Sequence, residues 1–155
     1  MKIYLAGIIS EKEIDLCRAW RSQIIDHYSN WKNSGKNYGD VCFLNPLNGE
    51  DNISGLTSNI PPSAIFIKDY NAIRISNLFI VNMDNFGSDR VNVGTILEIA
   101  FAYEAKLPIL MITTDDMHKQ HPFLSTMVNC YFTSVEELLE KKIINTFYKA
   151  FNSSY

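Results

Sequence analysis

The chain has 155 residues, 46% of them hydrophobic and 20% charged. That composition carries enough apolar area to offset chain entropy, which excludes a disordered protein. Lys and Arg number 14 against 17 Asp and Glu, a net charge of −3, which argues against sequence-independent nucleic-acid binding, since that runs on excess basic charge. The length is that of one domain, 1–155, able to bury about two thirds of its unfolded surface without a disulfide or a metal. Cys17, Cys42 and Cys130 are odd in number and widely spaced, with no CxxC. They read as reduced thiols rather than a zinc knuckle or a disulfide framework. The opening apolar stretch of MKIYLAGIIS is cut short by Glu11-Lys12-Glu13, too soon for a signal peptide. No run approaches the roughly 20 apolar residues of a membrane span. The expectation is a soluble cytoplasmic protein.

Ile3 to Ala6 is an apolar run ending at Gly7, the pattern of a buried strand. Ser10 and Glu13 have the spacing of a capping box, opening a helix with Ile14, Cys17, Trp20, Ile24 and Ile25 on one face and an end near His27. Asn30 to Asp40 reads as a loop. Val41 to Leu44 is a second strand, stopped by Asn45-Pro46, and Pro46 to Pro62 is a long Asn-, Gly-, Ser- and Pro-rich connection. Ser63 to Ile75 predicts a helix and Leu78 to Val81 a third strand, with a polar loop from Asn82 to Asn92. Val93 to Lys106 predicts a helix with Ile96, Ile99, Ala100 and Tyr103 as its apolar stripe. Leu107 to Ile112 is a fourth strand, with Pro108 at its start where a missing N–H is tolerated. His121 to Val128 is a short helix or turn and Cys130 to Phe132 a fifth strand. Ser134 caps a final helix through Phe151, acidic early and basic late as the helix dipole favours.

Strand and helix alternate, and the strands are apolar runs without polar alternation. That pattern predicts an α/β fold: a flavodoxin-like, doubly wound five-stranded parallel sheet of order 2-1-3-4-5 with helices on both faces. Ligands in such sheets bind beyond the carboxyl ends of the strands, near the switch point between strands 1 and 3.

The segment Asn92-Val93-Gly94-Thr95-Ile96-Leu97-Glu98 is the richest in chemistry. Gly94 and Thr95 sit at a helix N-terminus, whose free N–H groups bind a hydroxyl or a phosphate. Glu98 follows among apolar neighbours: it is either a dipole-stabilising residue on a solvated face or a desolvated carboxylate with a task. Asp69 is a second carboxylate, on the helix before strand 3, and by itself reads as a surface residue. Tyr4 lies in the first strand; if buried, its hydroxyl needs a partner, and a carboxylate at the sheet edge would serve. His118 and His121 lie three apart, but no helix is predicted there and no third ligand is evident, so a metal site is not supported. GxGxxG after the first strand, GxxxxGK[ST] and a nucleophile elbow are all absent.

Four segments together resemble the nucleoside 2-deoxyribosyltransferase family, which includes 2'-deoxynucleoside 5'-monophosphate N-glycosidases. They are Lys2-Ile3-Tyr4-Leu5-Ala6-Gly7; Asn45-Pro46-Leu47-Asn48-Gly49; Asp69 through Ile73, Ser76-Asn77 and Ile80-Val81-Asn82; and Val93-Gly94-Thr95-Ile96-Leu97-Glu98-Ile99-Ala100-Phe101-Ala102 with Pro108-Ile109. The Gly-Thr-x-x-Glu element is the most specific. The resemblance implies that Glu98 attacks the anomeric carbon of a deoxyribose, giving a covalent glycosyl-enzyme as in a retaining glycosidase. It implies that Asp69 protonates the leaving base and that the Tyr4 hydroxyl orients the nucleophile. A second base then accepts the sugar, giving transfer, or water does, giving hydrolysis. No cofactor or metal is implied. The partners implied are a small-molecule 2'-deoxynucleoside or 2'-deoxynucleotide and a free nucleobase, with no nucleic-acid polymer and no membrane. A homo-oligomer with sites completed across the interface is also implied.

The chain departs from the family at Asn92, where nucleoside transferases usually carry Asp and monophosphate hydrolases Ser. Asn is neutral, so it does not repel phosphate, yet it can hydrogen-bond a hydroxyl. Ser125-Thr126-Met127 is similar to the segment that reaches a neighbouring subunit's site, in its phosphate-binding version. Ile8-Ile9-Ser10 lacks the Arg of the animal-type hydrolases, for which Arg90 is a substitute. Gly7, Asn92, Gly94, Thr95, Arg90, Ser125 and Met127 are therefore the expected substrate-binding residues, and the loop from Gly49 to Pro62 is expected to form part of the lid over the base. Three readings follow: a deoxyribosyltransferase, a monophosphate N-glycosidase using the same nucleophile, and a non-catalytic nucleotide sensor on the same fold. The presence of Glu98, Asp69 and Tyr4 weighs against the third.

Overall fold

The apolar runs become the middle of a sheet. In the computed structural model, which describes residues 1–33, 41–47, 61–89 and 91–152, five parallel strands lie in the order β2-β1-β3-β4-β5. They are β1 (Lys2–Gly7), β2 (Cys42–Leu44), β3 (Leu78–Asn82), β4 (Ile109–Ile112) and β5 (Cys130–Phe132). β3 and β4 are buried along their whole length, as strands covered on both faces must be. This is the predicted doubly wound order.

Two cores fill the two faces. Ile3, Leu5, Leu78, Ile80 and Leu110 pack under α1 (Ile14–Asn33), α6 (Val135–Glu140) and α7 (Ile143–Asn152). Tyr4, Ala6, Phe79, Val81 and Met111 pack under α2 (Pro62–Arg74), α3 (Val93–Glu104) and α5 (Pro122–Met127). The second face holds the site, because Tyr4 points that way.

Five local expectations are corrected. α1 opens at Ile14, with the Cys17 N–H donating to the Glu13 carbonyl, so Ser10 does not cap it. The loop after β1 is instead drawn into a small core of Ile8, Cys17 and Leu47. α1 also runs beyond His27 to Asn33, because Tyr28 is buried and its hydroxyl donates to Asn145 Oδ1 at 3.2 Å. In α3 the residues turned to the sheet are Thr95, Ile99 and Ala102, whereas Ile96 and Tyr103 are exposed. His118, placed outside any helix, lies in α4 (Asp116–Gln120), which Asp115 caps by accepting from the Met117 N–H. The final helix is two: Lys142 adopts a positive φ of 51°, which ends α6 and redirects the chain into α7. Ser134 does cap α6, accepting from the Glu137 N–H. Among the described residues no helix is long and apolar enough to cross a membrane.

Candidate active site

The site is built where β1 ends and α3 begins. Tyr4 is 1% exposed, its ring stacked on Phe79 of the neighbouring strand, with centroids 5.6 Å apart. A phenol held so deep needs a partner for its hydroxyl. It finds Glu98, donating to Oε1 at 2.7 Å. Glu98 lies one turn into α3 on the side facing the sheet, so the reading of a solvated, dipole-stabilising residue is overturned.

Burial shapes the protonation of this pair. Desolvation pushes the Glu98 carboxyl up to about 7; the Tyr4 hydrogen bond opposes this, Asp69 adds to it and Arg21 again opposes it. Tyr4 is pushed far above the ordinary phenol range by burial and by the two carboxylates, so it stays a donor. Asp69 is raised by its own burial, with Lys68 Nζ at 3.9 Å acting the other way. Asp69 is set against α3 by an aromatic contact. Tyr70 meets Phe101 edge to face at 5.1 Å, and Phe66 meets the same ring at 5.6 Å. Such pairs contribute about 0.5–1.5 kcal/mol each beyond burial, and they tie the helix of Asp69 to the helix of Glu98.

Against solved structures, the chain matches a conserved protein from Enterococcus faecalis V583 at 18% identity and TM-score 0.61, covering 94% of this chain and 98% of that one. It matches the CMP N-glycosidase of Clostridium botulinum at 18% identity and TM-score 0.54, covering 93% and 99%. It matches a 2-deoxyribosyltransferase from Bacillus psychrosaccharolyticus at 17% identity and TM-score 0.54, covering 89% and 90%. The chain has the nucleoside 2-deoxyribosyltransferase fold. No family model matches it, and no curated protein matches it in sequence.

On this deoxyribosyltransferase fold the expected binding residues fall into three groups. Gly7, Asn92, Gly94 and Thr95 gather at the carboxyl edge of the sheet. Gly7 closes β1 opposite Asn82. Gly94 is exposed, with open space where a Cβ would stand, and Thr95 is buried. Asn92 precedes α3 without capping it, and its Oδ1 is buried with no hydrogen-bond partner. It borders a cavity of about 390 Å³ that Asp84, Ile96, Thr113, Asp115 and His118 also line. Ser125 and Met127 form the second group, and the fold does not bring them to Glu98. Ser125 is exposed, its hydroxyl donating to the Pro122 carbonyl. Met127 lies with Leu107 and Pro108 beside a cavity at the opposite edge of the sheet. Arg90 and the stretch from Asn48 to Ile60 lie outside the described residues.

Sequence reasoning missed Arg21. Its side chain is fully buried, with the guanidinium donating to the carbonyls of Leu5 at 3.3 Å, Cys17 at 2.5 Å and Gly7 at 2.9 Å. The signal was its phase: Cys17, Trp20, Arg21, Ile24 and Tyr28 share one helical face, four of them apolar and buried. A charge on that face has to find partners inside.

Proposed function

We propose that the chain is a nucleoside 2-deoxyribosyltransferase. The observation that carries this reading is the part-buried 2.7 Å hydrogen bond from Tyr4 to Glu98, with Asp69 close enough to act on both. Tyr4 occupies Oε1, which leaves Oε2 as the attacking oxygen. In its ionised form Glu98 attacks the anomeric carbon of a 2'-deoxynucleoside from the face opposite the base. The carbon–nitrogen bond breaks and its electron pair leaves with the base, which Asp69 protonates. The covalent deoxyribosyl ester on Glu98 is then opened by a nitrogen of a second base, whose proton returns to Asp69. Two displacements at one carbon retain its configuration. The pre-placed carboxylate also stabilises the cationic character of the transition state.

The oligomer belongs to this proposal. Ser125 and Met127 lie away from their own Glu98, and α2, α3 and α5 carry exposed apolar side chains, among them Phe66, Ile67, Val93, Leu97 and Phe123. A second copy of the chain against this face covers them and brings that segment to a neighbouring site.

A second reading, a 2'-deoxynucleoside 5'-monophosphate N-glycosidase, is favoured by one observation. Asn92 puts a neutral amide, with an unpartnered oxygen, where a carboxylate would repel phosphate. Incubation with deoxyinosine and adenine, and separately with each deoxynucleoside monophosphate, separates the two by chromatography. Formation of deoxyadenosine is expected; free base released only from a monophosphate overturns transfer in favour of hydrolysis. Thermal stabilisation by nucleosides with no turnover of either kind would instead support a sensor. Glu98→Ala is expected to abolish turnover with the fold intact by circular dichroism, and wild-type rates in that variant would sink the mechanism.

A further inference from the structure

The carbonyl end of β1 has an unusual neighbour. Alternate residues of β1 face β2: the Met1 carbonyl accepts from the Cys42 N–H, and Ile3, Leu5 and Gly7 follow with the same parity. β2 stops at Leu44, opposite Tyr4, so the carbonyls of Leu5 and Gly7 outrun it. Arg21 takes their place, reaching from α1 to donate to both. Hydrogen bonding alone would be served by any neutral donor. A guanidinium here brings a full positive charge into a site with no carboxylate bonded to it among the described residues, while its face stacks on Trp20 at 4.4 Å. Such a charge is costly to bury unless a counter-charge lies within reach.

We propose that Arg21 is a positioning residue for Glu98: seated on the end of β1, the strand whose Tyr4 hydroxyl meets Glu98, its buried guanidinium is the positive charge set against the Glu98 carboxylate. The strand that ends on Arg21 is the one that carries Tyr4, so the same cation fixes the hydroxyl that orients Glu98. The groups acting on Glu98 can be enumerated. Tyr4 comes from β1, Asp69 from α2 and Arg21 from α1. β3, β4 and α5 hold no titratable side chain, and Tyr103 and Glu104 lie at the far end of α3. Of the three, Asp69 repels a second negative charge and Tyr4 is neutral, which leaves Arg21 as the cation. Burial draws Arg21 down to about 10, with Cys17, Glu98 and Tyr4 acting to raise it, so it remains charged at neutral pH.

The charge coupling is independent of what the site turns over; its catalytic consequence rests on Glu98 being the nucleophile. The test reads the Glu98 carboxyl directly by carbon-13 NMR titration of glutamate-labelled protein, its signal assigned by its loss in Glu98→Gln. Arg21→Met removes charge and donors, Arg21→Gln removes charge but keeps a donor, and Arg21→Lys keeps the charge. In both neutral variants the Glu98 midpoint is expected to rise, by up to roughly one pH unit, the order of an ion interaction inside a protein. In Arg21→Lys it is expected to stay put although the melting temperature falls. A merely structural Arg21 predicts that melting temperature alone moves, in all three variants. An unchanged Glu98 midpoint in a folded neutral variant overturns the proposal, and Arg21→Gln supplies that reading if Arg21→Met does not fold. A shifted midpoint in protein that turns over no nucleoside or nucleotide would overturn the proposed function and leave the role of Arg21 standing.

Discussion

Glu98 is held in a setting that its charged form resists. Its folded midpoint of about 7 stands above the 4.5 of a free glutamate, so the fold binds that proton more tightly than the unfolded chain does. The sign follows. The contribution to stability is full below about 4.5 and is lost as pH rises through 7, on the order of 3 kcal/mol in all. Glu98→Gln keeps the shape and an oxygen for Tyr4 but cannot ionise. It is expected to melt above the wild type at pH 8, with the gap closing as pH falls towards 4.5; scanning calorimetry across that range measures it. Equal melting temperatures at pH 8 would mean that Glu98 ionises at no cost to the fold. At this scale the sequence was informative about Tyr4 and Glu98, because a buried phenol and a carboxylate among apolar residues each demand a partner. It signalled the burial of Arg21 only through helical phase and was silent about its partners, which are backbone carbonyls and leave no trace in residue identity.

The elements decide which of these side chains meet. β1 and β3 set Tyr4 beside Phe79 and Gly7 beside Asn82. Gly7 has a φ of 153°, and a Cβ there would stand 2.9 Å from the Asn82 carbonyl oxygen and 3.2 Å from the Trp20 ring. Gly7→Ala is therefore expected to cost about 1–3 kcal/mol in denaturant unfolding, through backbone strain and the displaced strand end. A loss under half a kcal/mol would show that β1 can shift its end freely. The strand pattern was legible because buried parallel strands are bare apolar runs. The facing of α3 was not. Its sequence is apolar on nearly every side, so periodicity places Ile99 inwards but cannot choose between Ile96 with Tyr103 and Thr95 with Ala102 as its companions. Tyr4 and the sheet choose, by taking Glu98 and turning Thr95, Ile99 and Ala102 inwards.

That choice leaves Ile96, Leu97 and Tyr103 on the outside of the molecule, close to half exposed, beside Phe66 and Ile67 of α2. A surface of this kind on helices that flank Glu98 is what the proposed second copy would cover. Sedimentation is expected to show the wild type as a dimer or larger and Leu97→Asp as a monomer with turnover lost, since burying a charge on the proposed contact face would leave it unpaired. A monomeric wild type with full turnover would show that each chain completes its own site. The final helix teaches a related lesson. Ser134 and the charge order along the segment predicted its start correctly, yet Lys142 breaks it so that Asn145 can dock on Tyr28 of α1.

By itself the sequence determined the α/β class and the strand order. Chirality and burial admit few ways to fold alternating apolar runs and helices. It also determined which carboxylates deserved attention, because the segment containing Glu98 carries its own local signature. Only the tertiary structure decided that Glu98 meets the buried Tyr4 hydroxyl, that α2 packs against α3, and that Arg21 closes the end of β1. Those contacts link residues far apart along the chain, and nothing in local propensity or spacing encodes which distant group an inward-facing polar atom will find.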